Sequence, residues 1–377
     1  MDSSQEYVDA FAQPGEAQLM IEAASEVMQI RSAKWKKEGL TNVVGRSVPP
    51  GDPALELRGR LLVDSDRAYG QLSERFKSLG YVLLLRKDGD DQVALAIPGE
   101  LAVSGGISWV AVGLFFATLL SVLFVGAEYE GTPDNLLAGW PFALSLLGIL
   151  LSHEMGHYLV ARWMNVPASL PYFIPMPLSL LGTMGAVIQT KAPTRNRRSL
   201  LLLGAAGPLA GMVVALPVLF FGLSTSSVDF IRFGAPSFQE GNSLLYAAAK
   251  LLTFGQVLPS GNMDVFINSV ALAGWAGLLV TGLNLIPAGQ LDGGHIAYAL
   301  LGRRARWLNW VVVGVLLALS PQWQGWLLWA ALVLLLGRAH SVPLDDVTPV
   351  GTTEKVIALV CLALFVLVFM PVPLTFN

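Results

Sequence analysis

Residues 143–157 read Ala-Leu-Ser-Leu-Leu-Gly-Ile-Leu-Leu-Ser-His-Glu-Met-Gly-His. This stretch places two histidines and a glutamate at the end of a run that is otherwise apolar. His153 and His157 are four residues apart, so on a helix they lie on one face and can hold one metal ion together. Glu154 lies beside that face, where its carboxylate can take a proton from a metal-bound water. The stretch therefore predicts a membrane helix that carries metal chemistry.

A polar pair buried between helices, or facing a cavity, is the structural alternative for the two histidines. The chain contains only four histidines, and at that composition chance gives this pattern in roughly one chain in a thousand. Ionisable side chains inside a membrane span are costly and are functional by default. These two arguments favour the metal-binding interpretation.

A catalytic metal also needs a third protein ligand and an open position for water. In the predicted topology, the histidine-bearing span ends at the cytoplasmic face, and most acidic residues after residue 100 fall on the opposite side of the membrane. Asp292 falls on the right side, after an apolar run that a proline and a glycine interrupt. Asp345 and Asp346 are on the same side but in a stretch that reads as a polar loop. Asp292 is the predicted third ligand; His295 is the second choice, and a solvated turn is the structural alternative.

The composition is that of a membrane protein with a soluble part. Of the 377 residues, 54% are hydrophobic and 14% are charged, whereas a typical soluble domain is about 25% charged. Residues 1–100 hold 28 of the 51 charged side chains. This asymmetry predicts a soluble domain over 1–104 and a membrane-embedded domain over 105–377 with its core at 136–300. A net charge of −3 gives no reason to expect a nucleic-acid partner.

Seven apolar segments are predicted to span the membrane, since about 20 apolar residues are needed to cross it. They are residues 107–126, 136–163, 199–223, 266–287, 307–320, 322–338 and 355–373. Residues 170–189 are apolar but broken by prolines and glycines, which predicts a re-entrant or β segment. Residues 244–254 are too short to span. The predicted fold class is an all-α polytopic membrane protein of about 6–7 transmembrane helices, plus a small α+β soluble N-terminal domain.

Patterning within the soluble domain predicts a short series of helices and strands. They are a helix over 15–39, a strand over 55–63, a helix over 64–79, and strands over 81–86 and 92–97. A loop is predicted at 48–53, where three prolines and a glycine occur. Ten of the twelve lysines and arginines after residue 100 fall on one side of the predicted topology. We expect that side, and the N-terminal domain, to be cytoplasmic.

The pairing of His-Glu-x-x-His at 153–157 with Asn-x-x-Pro and Leu-Asp-Gly at 284–293 resembles the site-2 protease family of intramembrane zinc metalloproteases. Residues 182–187 are similar to the glycine-containing β segment of that family. Residues 204–211 are similar to its small-residue helix start. The resemblance covers roughly residues 136–300, with several separate motifs in the expected order.

The soluble part looks like a particular branch of this family. Arg58-Gly59-Arg60-Leu61, the strand at 93–98 and the segment 340–349 resemble the ethylene-dependent gravitropism-deficient and yellow-green branch. That branch occurs in chloroplasts and photosynthetic bacteria. The resemblance implies an integral multi-pass protein of a plasma or thylakoid membrane, with the N-terminal domain cytoplasmic or stromal.

The resemblance implies roles for the residues that match the motifs. It implies that His153, His157 and Asp292 bind one Zn²⁺ per chain. It implies that Glu154 is the general base of peptide hydrolysis. The zinc motif is intact in this chain, so catalytic activity is implied as well.

Substrate-binding roles are also implied. Asn284 would position or stabilise the reacting peptide. Gly182, Gly185 and Val187 would belong to a β segment that pairs with an unwound substrate strand. Helix packing is the structural alternative for Asn284 and the glycines, because small and polar residues commonly mediate contacts between membrane helices.

Intramembrane proteolysis of a substrate that contains a transmembrane helix is the predicted function. A transporter that uses the same polar residues as an ion path is the first alternative. A catalytically silent membrane adaptor is the second. The chain shows no clear internal repeat, and a transporter has no need of Glu154 between the histidines.

Overall fold

The computed structural model describes residues 14–36, 54–99, 108–230, 238–261, 263–337 and 342–376. The chain divides into two compact units. The first, called here the N-terminal unit, consists of Met1–Ser104, Lys191–Leu200 and Val342–Val350. The second, the helical unit, consists of Gly105–Thr190, Leu201–Ser341 and Gly351–Asn377. The predicted loop at 48–53 lies outside the described residues.

The N-terminal unit is an α+β fold built on one antiparallel sheet. Its elements are α1 (Pro14–Ser25), β1 (Met28–Lys36), β2 (Ala54–Leu61), α2 (Ser65–Ser78), β3 (Tyr81–Asp88) and β4 (Asp91–Pro98), with strand order β1-β2-β4-β3. Asp64 caps α2, since its side chain accepts the N–H of Asp66 at 3.0 Å. Apolar residues from the sheet and both helices form one core.

The predicted helix over 15–39 is wrong beyond Ser25. Residues 28–36 form β1, which pairs with β2 along its whole length. Burial alternates at the start of this strand, where Met28 is buried and Gln29 and Arg31 are exposed. This period of two is typical of a strand, and the pairing with β2 stabilises it.

Residues 344–346 extend the sheet at the edge of β3. Leu85 donates its N–H to the Leu344 carbonyl at 2.9 Å and accepts the N–H of Asp346 at 3.0 Å. On the other side, residues 194 and 195 accept the N–H groups of residues 344 and 345 at 2.9 and 2.7 Å. Two segments that are far apart in sequence therefore continue the sheet of the N-terminal unit.

Asp345 is fully buried in this extension, so the expectation of a polar loop there is wrong. Its carboxylate accepts the N–H groups of Val347 at 2.9 Å and Thr348 at 3.1 Å. The Thr348 hydroxyl also donates to it. Burial raises the pKa of Asp345, and the hydrogen bonds from Thr348 oppose that shift. The carboxylate therefore closes the turn formed by residues 345–348.

We predict that Asp345→Ala will loosen this turn, because it leaves two buried N–H groups without an acceptor. The expected cost is about 1–3 kcal/mol, or roughly 5- to 150-fold faster amide exchange. Hydrogen exchange of the full chain, read at residues 347 and 348, measures this rate. Asp90→Ala is the control, since Asp90 is exposed in the β3–β4 turn. Equal exchange in both variants would contradict the structural role of Asp345.

Among the described residues, the helical unit contains most of the helices and three short two-stranded pairings. Its elements are α3 (Trp109–Tyr129), a 3-10 turn (Leu136–Gly139) running into α4 (Trp140–Trp163), β5 (Tyr172–Pro175), β6 (Thr183–Val187), α5 (Arg197–Ser224), β7 (Ser227–Phe230), β8 (Phe238–Glu240), α6 (Leu244–Phe254), β9 (Met263–Phe266), α7 (Ser269–Asn284), α8 (Asp292–Leu301), a 3-10 turn (Gly302–Arg304), α9 (Ala305–Leu319), α10 (Gly325–Leu336), α11 (Thr352–Val368) and β10 (Leu374–Phe376). Strand β5 pairs with β6, β7 with β9, and β8 with β10. The first residues of α5, 197–200, are counted in the N-terminal unit.

In the part of the chain that the structure describes, three helices are long and apolar enough to cross a membrane: α3, α5 and the continuous helix Leu136–Trp163. The other four predicted spans correspond to α7, α9, α10 and α11, which have 12 to 17 residues. A 17-residue helix is about 25 Å long, which is less than the roughly 30 Å hydrocarbon core of a bilayer. The structure thus supports a mostly helical protein with three candidate spans.

Residues 172–187 form a β-hairpin, the β alternative that the sequence left open. Strands β5 and β6 are antiparallel and pack on α3. The Ser121 hydroxyl of α3 donates to the Gly182 carbonyl at 2.5 Å. Gly182 has φ +71°, and a Cβ there would lie 2.8 Å from the Val122 Cα. A glycine is therefore required at position 182 for both its backbone angle and its close approach to α3.

Candidate metal centre

Three side chains meet between α4 and the start of α8. The His153 and His157 Nε2 atoms are 3.2 Å apart. The Asp292 carboxylate lies 3.2 Å from His153 Nε2 and 3.3 Å from His157 Nε2. Both histidines are buried. Within the described ranges, this is the group of three potential ligand atoms that could hold a metal ion.

The spacing of these atoms fits a zinc ion. In a tetrahedral site with bonds of about 2.0–2.1 Å, neighbouring ligand atoms are about 3.3–3.4 Å apart. The two histidine Nε2 atoms are 3.2 Å apart, and each is close to one oxygen of the Asp292 carboxylate, His153 to Oδ2 at 3.2 Å and His157 to Oδ1 at 3.3 Å. Two imidazoles and one carboxylate are a known catalytic zinc donor set, which keeps a fourth position for water. The donor chemistry and the spacing both suit Zn²⁺.

The His157 ring is oriented by a backbone carbonyl. Its Nδ1 atom lies 2.7 Å from the Leu203 carbonyl oxygen in α5. A carbonyl can only accept, so Nδ1 carries the proton and the Nε2 lone pair faces the other ligands. The Asn284 side-chain nitrogen lies 3.3 Å from His153 Nε2. Asn284 is the last residue of α7, so a third helix reaches the centre.

Asp292 reaches the centre because the chain turns sharply between α7 and α8. The turn includes a bond from the Ala288 N–H to the Ile286 carbonyl at 2.7 Å and a left-handed backbone at Gly289, φ +60°. Helix α8 then starts directly against the end of α7. A Cβ at Gly293 would lie 2.1 Å from the Leu285 carbonyl oxygen, so only glycine allows this close approach.

His295, the second choice for a third ligand, is one turn further along α8. It does not belong to the group of converging ligand atoms. The structure therefore favours Asp292 over His295 on geometric grounds.

Glu154 is buried beside the ligands and interacts electrostatically with His157 and Asp292. Its carboxylate also has a hydrogen bond with the backbone of Ile188. Ile188 is the residue that directly follows β6, and β6 contacts α4. The predicted general base therefore lies next to both the ligands and the end of the hairpin.

The predicted substrate-binding residues divide into two groups. Asn284 is at the metal centre, within 3.3 Å of a ligand atom. Gly185 and Val187 lie on β6, where Val187 is 53% exposed and the Gly185 backbone has φ +104°. Gly182 packs against α3, and this close packing explains why position 182 is a glycine. Sequence reasoning missed the Leu203 carbonyl, since a leucine side chain gives no signal of a polar contact.

Comparison with known proteins shows which family and which proteins this chain is similar to. Residues 141–319 match Peptidase family M50. The chain is 31% identical over 337 residues to the protein named "Probable zinc metalloprotease EGY2, chloroplastic" from Arabidopsis thaliana, covering 85% of this chain and 60% of that protein. It is 35% identical over 245 residues to "Probable zinc metalloprotease EGY1, chloroplastic" of the same plant, covering 62% of this chain and 43% of that protein.

A more distant relative is "Probable zinc metalloprotease EGY3, chloroplastic" from Oryza sativa subsp. japonica. It is 27% identical over 256 residues, which cover 63% of this chain and 43% of that protein. No solved structure matches the chain. The chain spans about three fifths of the length of the Arabidopsis EGY2 relative.

We predict that Asp292→Ala will weaken zinc binding at least about 100-fold, because it removes one of three protein ligands. His295→Ala, one turn further along the same helix, should bind zinc like the wild type. Competition with a chromophoric chelator measures both affinities on the purified full chain. If His295→Ala were the variant that lost zinc, the assignment of the third ligand would be reversed.

Proposed function

Because residues 141–319 belong to peptidase family M50, we propose that this chain is an intramembrane zinc metalloprotease that cleaves a transmembrane helix of a membrane-anchored substrate. The predicted resemblance to the site-2 protease family and its EGY branch is confirmed. The observation that carries the proposal is the convergence of His153, His157 and Asp292 at 3.2–3.3 Å. Two of these ligands lie on Leu136–Trp163, which is long and apolar enough to cross a membrane.

Each residue of the centre has a role in the proposed hydrolysis. The histidines and Asp292 would hold the zinc. When bound, zinc would supply Lewis acidity that lowers the pKa of a water and polarises the scissile carbonyl. Glu154 takes the proton of the attacking water and passes it to the leaving amine. Asn284, next to His153, is placed to donate a hydrogen bond to the reacting peptide.

The substrate must present an extended segment, because a helical peptide bond is shielded and hydrogen-bonded. Strand β6 pairs on one edge with β5 alone, in a two-stranded sheet. It ends next to Ile188, whose backbone contacts Glu154. We assign β6 as the strand that pairs with the unwound substrate and directs it towards the base.

The proposed topology has six to seven membrane crossings, with α7, α9, α10 and α11 joining the three long helices. Ten of the twelve basic residues after residue 100 then face the compartment of the N-terminal unit, which is the cytoplasm or stroma. Cleavage would occur near that face. The names of the relatives place them in chloroplasts, which favours a thylakoid membrane over a plasma membrane.

We predict that Glu154→Gln will retain zinc but lower cleavage of a model transmembrane substrate at least about 100-fold, since a glutamine cannot take the proton. Elemental analysis and a gel-based cleavage assay of the full chain measure the two properties. Glu128→Gln is the control, because Glu128 is exposed at the end of α3.

Four outcomes distinguish the proposed function and its base from the alternatives. Zinc in the wild type and in Glu154→Gln, with a chelator-sensitive product from the wild type but not from Glu154→Gln, supports the protease. Cleavage by Glu154→Gln at the wild-type rate would rule out the proposed base. Metal flux into vesicles that persists in Glu154→Gln would favour a transporter, and partner binding without turnover in the wild type would favour an adaptor.

We also predict that Gly185→Ala will lower cleavage about 5- to 30-fold while leaving zinc binding unchanged. The left-handed backbone at Gly185 costs a non-glycine residue about 1–2 kcal/mol, and the Thr183 hydroxyl holds the Gly185 N–H at 3.0 Å in that conformation. Gly113→Ala in α3 is the control, since a Cβ there meets nothing within 4 Å. Unchanged cleavage by Gly185→Ala would argue against β6 as the substrate-pairing strand.

A further inference from the structure

One face of α5 lies directly against the two histidines of the metal centre. The Leu203 carbonyl oxygen is 2.7 Å from His157 Nδ1. A Cβ at Gly207 would lie 2.0 Å from His157 Nε2, the atom that faces the other ligands. A Cβ at Gly211 would lie 3.2 Å from the His153 Cβ and 3.3 Å from its Nδ1. Helix α5 therefore contacts both ligand side chains of α4.

We propose that Leu203 and Gly207 are positioning residues of the zinc centre. The Leu203 carbonyl fixes the tautomer and the direction of the His157 ring, and Gly207 leaves the space in which that ring lies. The assignment rests on the proposed function, because it gives these residues a purpose in holding a catalytic metal. Neither residue supplies a metal ligand; both act on the ligand His157.

The contact at Gly207 is too close for any other residue. Real Cβ atoms do not approach a neighbouring heavy atom within 3.0 Å, and the present gap would be 2.0 Å. Either the ring or the helix must move by about 1 Å or more to admit a methyl group. Metal–ligand bonds tolerate errors of only about 0.2 Å. A methyl group at position 207 should therefore displace His157 from the metal and from Leu203.

The spacing along α5 strengthens this assignment. Gly204, Gly207 and Gly211 are separated by three and four residues, so they share one face of the helix. Gly204 approaches the third ligand residue, since its Cβ would lie 2.8 Å from the Asp292 carbonyl oxygen. Each ligand residue thus has one glycine of α5 against it. Glycine inside a helix costs roughly 0.5–1 kcal/mol relative to alanine, and close approach to the ligands explains why three are present.

The decisive variant is Gly207→Ala, with Gly148→Ala as its matched control. Gly148 is in α4, the helix of the two histidines, but a Cβ there meets nothing within 4 Å. Nitrogen NMR of the full chain, labelled at its four histidines, reports the tautomer of His157 without metal or substrate. Chelator competition then reports zinc affinity. If Gly207→Ala fails to fold, the metal-free wild type carries the test, because the Leu203 contact requires the proton of His157 on Nδ1.

We expect Gly207→Ala to lose the Nδ1-protonated signal of His157 and to bind zinc at least about tenfold more weakly. Gly148→Ala should match the wild type in both measurements. A wild-type tautomer and wild-type zinc affinity in Gly207→Ala would overturn the proposal, and so would an Nε2-protonated His157 in the metal-free wild type.

The two readouts separate this proposal from the proposed function. If the wild type bound no zinc but Gly207→Ala still changed the His157 tautomer, the positioning role would stand and the metalloprotease would not. If the wild type bound zinc and cleaved substrate while Gly207→Ala behaved identically, the metalloprotease would stand and the positioning role would fall.

Discussion

The structure depends on placing two imidazoles and a carboxylate side by side in an apolar interior. Burying such groups is costly unless they neutralise one another or bind a metal. In this site the carboxylate lies 3.2–3.3 Å from both imidazoles, and backbone and amide partners contact the ring atoms. The close contacts of α5 with α4, and of the start of α8 with the end of α7, follow from that requirement. Each uses a glycine where a side chain would push a ligand away.

In the proposed function, the β-hairpin presents backbone polar groups beside α4, the helix of the two histidines. Non-helical backbone is tolerated inside a membrane only when protein or water covers it. Contacts with α3 satisfy some of the backbone carbonyls of this hairpin. The Ser121 hydroxyl donates to the Gly182 carbonyl, and the Tyr129 hydroxyl donates to the Leu180 carbonyl. The Thr183 hydroxyl donates to the Ile174 carbonyl within the hairpin. An extended substrate would satisfy the remaining edge of β6, so binding and unwinding would be coupled through the same groups.

The parts of this protein that sequence could predict are those with a local signal. The i, i+4 histidines identify a ligand-bearing helix by themselves, and Asp292 follows from which side of the membrane it lies on. The start of β1 was missed because its period-two burial is weak and its stability comes from pairing with β2. The Leu203 contact was missed because a backbone carbonyl leaves no trace in the sequence. Three predicted spans, 266–287, 322–338 and 355–373, are longer than the helices they correspond to, because the apolar run continues past the helix end, as at Pro287 after α7.

The N-terminal unit contains Lys191–Leu200 and Val342–Val350 in addition to Met1–Ser104, so it includes more of the chain than the charge distribution alone indicates. Without residues 344–346, the edge of β3 would present unpaired N–H and C=O groups, which invites pairing with other chains. Asp346 pairs with Arg197 at 2.8 Å, and Asp66 pairs with Arg195 at 3.0 Å, so charges from all three segments of this unit are matched within it. The two later segments therefore complete the fold of the first. A fragment ending at residue 104 would lack both segments that continue its sheet beyond β3.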